Sequence, residues 1–182
     1  AGILSAPRSV QLAVILSMLL GGGVFRLAAQ GRERWMCGEG LAAAALSSVA
    51  VPLGLSAGLE ATESFSVAFI WAVTAVLGTS IVRLTIARTK AKTDAELAAV
   101  AFKRGLLIVA CLTVIAVGCA APFAQRVGLW VLTAAVPVAV VVLVMAIFRP
   151  TARRLRLMGW SLVGASLLSL ITVVTALKLI QD

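Results

Sequence analysis

The sequence contains no histidine and no tyrosine, and only seven of its 182 residues are acidic. Without histidine, this chain cannot form His-ligated haem or metal sites and has no His general base. Its two aspartates, Asp94 and Asp182, lie far apart, whereas Mg²⁺ on a diphosphate needs several oxygen ligands placed together. No P-loop is present. We therefore predict no metal and no cofactor, and the sequence favours a protein without a catalytic site over an enzyme.

Charged residues are also scarce, at 13%, whereas 62% of the residues are hydrophobic and the mean hydropathy is +1.10. Soluble domains are about a quarter charged and about half apolar. A soluble domain of this size has too little interior for so much apolar surface. A backbone in lipid must satisfy its own hydrogen bonds, which leaves helices or closed barrels. Val136–Phe148 lacks the alternation of a barrel strand, so the sequence predicts helices.

A helix that crosses the apolar core of a bilayer needs about twenty apolar residues. Six segments meet this need: 9–25, 40–59, 64–82, 105–124, 127–148 and 159–180. We predict one domain over residues 1–182, an all-α polytopic transmembrane bundle with about six membrane-spanning helices. Gly21-Gly22-Gly23 is expected to weaken the end of the first helix. Pro52 and Pro137 fall inside the second and fifth spans, where neighbouring helices can accommodate a kink.

The 16 lysines and arginines are distributed unevenly between the two sets of alternate connections. Thirteen lie in one set: Arg26, Arg32, Arg34, Arg83, Arg88, Lys90, Lys92, Lys103, Arg104, Arg149, Arg153, Arg154 and Arg156. The other set, which includes both ends of the sequence, holds Arg8, Arg126 and Lys178. By the positive-inside rule the first set faces the cytoplasm, which predicts a multi-pass protein of the bacterial inner membrane with both ends outside. We then expect one or more further helices before Ala1, to return the chain to the cytoplasm.

The net charge of +9 comes from these short connections, so it indicates membrane topology and contact with anionic lipids. A nucleic-acid partner is not expected, because no reading motif accompanies a basic face. Thr93 and Glu96 match a helix capping box in the longest connection. The fourth helix is therefore predicted to begin there, outside the membrane, and to run into it.

Four arginines, Arg149, Arg153, Arg154 and Arg156, could form a cradle for a lipid or phosphate headgroup, since guanidinium pairs bidentately with phosphate. The positive-inside rule, by which cytoplasmic connections are rich in lysine and arginine, would by itself also explain such a cluster. Glu39, at the cytoplasmic mouth of the second span, is a candidate intramembrane acid, because an acidic group at membrane depth is costly. It could instead lie at headgroup level as an anchor paired with Arg32 or Arg34.

Gly54 and Gly58 form a GxxxG motif in the second span. Small residues at this spacing allow helix backbones to approach closely. The motif predicts helix packing, either within the chain or at a dimer face.

The order of several short motifs resembles the YwiC-like family of bacterial membrane proteins. They are Trp35 with Glu39-Gly40, an Ala-rich span with Pro52, Ile81-Val82-Arg83 before a basic connection, and Arg156-Leu-Met-Gly159-Trp160-Ser161 opening the last helix. The family's N-terminal His-Gly-Ala-Trp segment has no counterpart in this sequence. The resemblance implies a helical membrane fold over nearly the whole chain and no particular activity.

Three functions remain open from the sequence. The first is an accessory or structural subunit of a larger membrane complex, with membrane lipids and other membrane proteins as partners. The second is a membrane-embedded prenyltransferase-like enzyme that binds diphosphate with cytoplasmic arginines. The third is a transporter fragment, indicated by Pro52 and Pro137 inside spans.

Overall fold

The computed structural model describes residues 7–30, 36–124, 127–151 and 154–181. Seven α-helices and two 3₁₀ segments make up this part of the chain, and no strand occurs in it. The helices are α1 (Arg8–Ala29), α2 (Met36–Ser48), α3 (Ala50–Ser56), α4 (Ala61–Lys90), α5 (Asp94–Ala120), α6 (Val136–Phe148) and α7 (Leu155–Gln181). The 3₁₀ segments η1 (Ala121–Ala124) and η2 (Val127–Ala135) lie between α5 and α6. The predicted all-α fold class is confirmed.

Within the described residues, five helical segments are long and apolar enough to cross a membrane, and Gly40–Ser56 is a shorter apolar helical segment. Large apolar side chains also project outward, among them Phe25 at 77%, Leu46 at 80% and Phe123 at 86% exposure. Such a surface suits lipid, because soluble monomers rarely expose large contiguous apolar patches. The chain is a multi-pass membrane protein.

The chain divides into two compact units, Ala1–Val76 and Leu77–Asp182, and α4 runs from the first into the second. The first unit contains α1, α2, α3 and the start of α4. Its α1 continues as a regular helix through Gly21-Gly22-Gly23 to Ala29, although these glycines were expected to weaken the helix. A Cβ at Gly23 would lie 3.2 Å from Cδ2 of Leu41, so this glycine makes room for a side chain of α2.

The predicted second span, 40–59, consists of two helices that meet at Val49. Pro52, in the first turn of α3, has no N–H to donate to the carbonyl of Ser48. The hydroxyl of Ser17, on α1, donates to that carbonyl over 3.1 Å. The break therefore follows from the proline, and a neighbouring helix satisfies the carbonyl that the proline leaves without a helical partner.

The second unit has a core of small and β-branched side chains, including Val131, Ala134, Ala139 and Val142, all at 0% exposure. Gly118 of α5 lies against η2 and α6, since a Cβ there would meet Cγ2 of Val136 and the carbonyl oxygen of Leu132. The predicted fifth span, 127–148, is 3₁₀ over η2 and becomes α-helical at α6. Pro137 lies at the start of α6, where the missing N–H costs little.

The capping box at Thr93 and Glu96 is present, which confirms the predicted start of α5. The oxygen Oγ1 of Thr93 accepts the N–H of Glu96 at 3.3 Å, and the Glu96 carboxylate accepts the N–H of Thr93 at 3.2 Å. Because α4 continues to Lys90, only residues 91–93 connect it to α5. Most basic residues of the predicted long connection therefore lie on helices, which gives each a defined direction.

Candidate functional site

A cavity of about 270 Å³ lies within the second unit, between the end of α4, the start of α5 and the end of α6. Its lining residues are Ile81, Leu84, Thr85 and Arg88 of α4; Leu97, Val100, Ala101 and Arg104 of α5; and Met145, Ala146, Arg149 and Pro150 at the end of α6. Each of the three elements supplies one arginine. The rest of the wall is mainly apolar.

The positions on α4 and α5 explain why these side chains share a wall. On α4 the lining residues follow the spacing i, i+3, i+4 and i+7 from Ile81 to Arg88, and on α5 they follow the same spacing from Leu97 to Arg104. Residues at this spacing form one stripe along a helix. Each stripe ends in an arginine at i+7, so both helices turn an apolar stripe with one cation towards the cavity.

Arg88 and Arg149 lie at the exposed rim of the cavity. Nη1 of Arg88 donates to the carbonyl oxygen of Arg149 over 3.2 Å. Arg149 ends α6 in the left-handed region, with φ 51° and ψ 60°, and its N–H bonds the carbonyl of Met145 at 3.1 Å. A non-glycine residue with this conformation is uncommon. One hydrogen bond therefore joins the Arg88 side chain to the backbone that ends α6.

Arg104 is the interior cation of the cavity. Its Nε is buried and has no hydrogen-bond partner among the described residues. A buried polar group without a partner is costly, and the cost is larger for a charged group. An anion in the cavity would supply the missing acceptor.

The described lining of the cavity contains no negative charge to balance its three arginines. No acidic residue is among the twelve described residues that line it. Glu96 lies in the first turn of α5, directly before the lining residue Leu97. Its carboxylate accepts the backbone N–H groups of Lys92 at 2.7 Å and of Thr93 at 3.2 Å. These backbone hydrogen bonds lower the pKa of Glu96, which lies in the charged start of α5 ahead of the apolar segment. Three guanidinium groups with no lining carboxylate suit a phosphate group.

Of the four arginines predicted as a headgroup cradle, the structure places Arg149 on the cavity wall. Arg154 and Arg156 are exposed and do not line the cavity, and Arg153 lies outside the described residues. The other two cavity arginines, Arg88 and Arg104, were predicted only as basic residues of the longest connection, with Arg104 after the predicted start of the fourth helix. Their i+7 spacing from Ile81 and Leu97 was the available signal.

The other predicted site residues lie elsewhere. The backbone of Glu39 belongs to α2, and its side chain lies outside what the structure describes. Gly54 packs within the first unit, where a Cβ would lie 3.1 Å from Cβ of Ser64 on α4. Gly58 has no atom within 4 Å of its Cβ position; instead it ends α3 with φ +87°. The N–H of Gly58 bonds the carbonyl of Leu55 and that of Leu59 bonds Gly54, which is a Schellman ending.

A second cavity, of about 250 Å³, lies within the first unit and is almost entirely apolar. Its lining includes Leu16, Val51, Phe65 and Phe69. Among the described residues there is no group of three or more histidine, cysteine, aspartate or glutamate side chains that could hold a metal ion. The arginine cavity is therefore the site whose chemistry points to a ligand class.

Comparison with known proteins gives no relative from which a role could be transferred. The chain matches no family model, no curated protein and no solved structure. The resemblance to the YwiC-like family stays a prediction, and the arginine cavity is the basis for a functional proposal.

Proposed function

We propose that this protein is a multi-pass protein of the bacterial cytoplasmic membrane that binds the phosphate of a lipid headgroup at the cytoplasmic side, without a reaction of its own. The single observation that carries the proposal is the convergence of Arg88, Arg104 and Arg149 on one cavity. The buried Nε of Arg104, which has no partner among the described residues, strengthens it. A phosphate oxygen would complete this guanidinium's hydrogen bonding.

The charge distribution supports the proposed orientation. All three cavity arginines belong to the set of connections that holds thirteen of the 16 basic residues. The positive-inside rule assigns this set to the cytoplasm, where anionic lipid headgroups attract it further. Lipid headgroups are therefore the nearest and most concentrated source of phosphate for the cavity.

The proposed role is that of an accessory component whose partners are membrane lipids and other membrane proteins. A bound headgroup could fix the protein's position against a neighbouring subunit without chemistry at the phosphate. The prenyltransferase-like enzyme would bind a diphosphate through the same arginines, and its reaction stays a prediction. The transporter fragment also stays a prediction.

The experiment that tests the proposal measures the stability of the purified protein in a neutral detergent as lipid is added. A ligand that binds the folded state raises the melting temperature in proportion to the logarithm of its concentration above the Kd. Anionic phospholipid should raise it clearly more than phosphatidylcholine of the same acyl chains. Arg88→Gln and Arg104→Gln should each reduce that difference.

Arg154→Gln and Arg156→Gln are the matched controls, because they remove the same charge from exposed positions outside the cavity wall. If these two variants reduce the lipid response as much as Arg88→Gln and Arg104→Gln, binding follows net charge and the cavity is not the site. Equal stabilisation by anionic and zwitterionic lipid would reject the proposal altogether.

A further inference from the structure

We infer that the lipid bound in the arginine cavity carries a terminal phosphate, as a phosphomonoester or a diphosphate on an apolar chain, in preference to a phosphodiester headgroup. This inference rests on the proposed function and specifies its ligand. Three features of the cavity carry it: its charge, its hydrogen-bond donors and the position of its interior cation.

The charge of the cavity exceeds that of a phosphodiester. Its three arginines carry three positive charges that persist at every physiological pH, and none of the described residues that line it is acidic. A phosphodiester carries one negative charge, which leaves two cations uncompensated. A phosphomonoester carries about −1.5 to −2 at pH 7, because its second pKa is about 6. A diphosphate carries more, so the terminal phosphates match the cavity better.

The donors of the cavity also exceed what a diester can accept. Each guanidinium has five N–H donors. Arg88 uses one of them on the carbonyl of Arg149, and Nε of Arg104 has no partner among the described residues. A phosphodiester presents two non-bridging oxygens, whereas a terminal phosphate presents three. With a third oxygen, a terminal phosphate can accept hydrogen bonds from the rim arginines and from Arg104 at the same time.

The interior position of Arg104 favours a ligand with one substituent. Arg104 lies eleven residues after the cap at Thr93, about 16 Å along the α5 axis. Its Nε is buried, whereas Arg88 and Arg149 lie at the exposed rim. A chain attached to a bound phosphate would lie against the apolar part of the wall, which includes Leu84 and Val100. A diester would bring a second, polar substituent against the same mainly apolar wall.

The test compares lipids of identical acyl chains on the full-length protein in neutral detergent. Dioleoyl phosphatidic acid, dioleoyl phosphatidylglycerol and dioleoyl phosphatidylcholine are titrated, and the Kd is taken from the rise in melting temperature or from native mass spectrometry. At pH 7.5 the monoester should bind at least tenfold more tightly than the diester. Between pH 7.5 and pH 5 that ratio should fall severalfold, because the monoester loses its second charge while the diester and the arginines keep theirs.

Free pyrophosphate is titrated alongside, to separate a lipid from a soluble phosphate. We expect it to bind at least tenfold more weakly than phosphatidic acid, because it lacks the apolar chain. Pyrophosphate that bound as tightly as the lipid would overturn the lipid part of the inference. The comparison uses the unaltered protein, so it does not depend on how well an arginine variant folds.

The variant that sharpens the result is Arg104→Lys, which keeps the charge and removes the planar pair of donors. It should reduce the preference for the monoester more than Arg156→Lys does. Equal affinity for phosphatidylglycerol and phosphatidic acid would overturn the inference and leave the proposed function standing. Failure of both anionic lipids to exceed phosphatidylcholine would overturn the two together.

Discussion

The hydroxyl oxygen of Ser17 lies 3.1 Å from the carbonyl oxygen of Ser48, four residues before Pro52. In an unbroken helix the N–H of residue 52 would bond that carbonyl, and proline has none. The same hydroxyl contacts the carbonyl of Ala13 at 2.9 Å, so it can be shared between the two acceptors. A serine on α1 thus supplies the hydrogen bond that a proline removes from the α2–α3 segment.

We predict that Ser17→Ala lowers the free energy of unfolding by about 0.6 kcal/mol and by at most about 1.7 kcal/mol, the average and the largest value measured for interhelical hydrogen bonds in a membrane protein. In the Pro52→Ala background the same change should cost close to nothing, because the backbone N–H of the introduced alanine would then bond the carbonyl of Ser48. Unfolding of all four proteins of this double-mutant cycle in mixed micelles measures the coupling.

Ser66→Ala is the control for this cycle. The Ser66 hydroxyl bonds the carbonyl of Thr62 on its own helix, at 2.7 Å. Its removal should have the same small effect in the unaltered protein and in the Pro52→Ala variant. An equal cost of Ser17→Ala in the two backgrounds would show that Ser17 does not compensate for the proline.

Gly118→Ala should destabilise the second unit by about 1 to 3 kcal/mol, as overpacking of a filled core does. The added methyl would lie 2.5 Å from Cγ2 of Val136, a β-branched side chain that is stiff on a helix, and 3.2 Å from the carbonyl oxygen of Leu132, which is backbone. Gly105→Ala, on the same helix, places its methyl where no atom lies within 4 Å. It should be neutral or stabilising by up to about 1 kcal/mol through helix propensity. Melting temperatures of the two variants in the same detergent make the comparison.

Arg149 allows the backbone and the charge of the cavity rim to be tested separately. Its φ of 51° suits glycine better than any residue with a Cβ. Arg149→Gly should therefore leave the melting temperature unchanged or raise it, and Arg149→Ala should lower the stability by about 1 kcal/mol relative to Arg149→Gly. Both should lose the same part of the response to anionic lipid, because both lack the guanidinium. A full response in Arg149→Gly would remove this side chain from the site.

The capping box at the start of α5 should respond to both substitution and pH. Thr93→Ala should cost about 1 kcal/mol of local stability and speed amide exchange over residues 94–97, whereas Thr93→Ser should not. The folded-state pKa of Glu96 is lowered, so its contribution is complete above the ordinary glutamate pKa and is lost as the pH falls through the lowered value. Protection of the Lys92 and Thr93 amides should fall over the same acidic range. Unchanged protection there would contradict the role of Glu96.

The positions of the helices could be predicted well because hydropathy and capping are local properties of the sequence. The start of α5 illustrates this, since Thr93 and Glu96 are three residues apart and form their bonds within one turn. The break at Val49 was harder to predict from the sequence. Pro52 indicates a kink, but the partner that stabilises it lies on a different helix, 31 residues before Ser48. A pairing over that distance is set by packing and leaves no local pattern.

Only part of the arginine cavity could be predicted, because its arginines come from segments that are distant in the sequence. Arg149 belongs to a cluster of four arginines that are close together in the sequence, and this clustering predicts a headgroup site. Arg88 lies in a segment that the sequence predicts as a connection, where the direction of a side chain is undefined, and Arg104 follows the predicted start of the fourth helix but was counted only as a basic residue. Once Arg88 is also known to lie on a helix, the spacing from Ile81 places Arg88 on an apolar stripe of α4, as the spacing from Leu97 places Arg104 on an apolar stripe of α5.

Arg104 lies eleven residues after the cap at Thr93, which corresponds to about three complete helical turns, so the arginine shares the angular phase of the cap. Inserting one residue between them would rotate Arg104 by about 100° around α5 and turn it out of the cavity while leaving composition and hydropathy almost unchanged. The direction of Arg104 around α5 is therefore encoded in the sequence as a spacing: a threonine, a glutamate three residues later, and an arginine eight residues after the glutamate. That spacing can be sought in other membrane sequences, and it would separate chains that keep the interior cation from those that merely keep a basic connection.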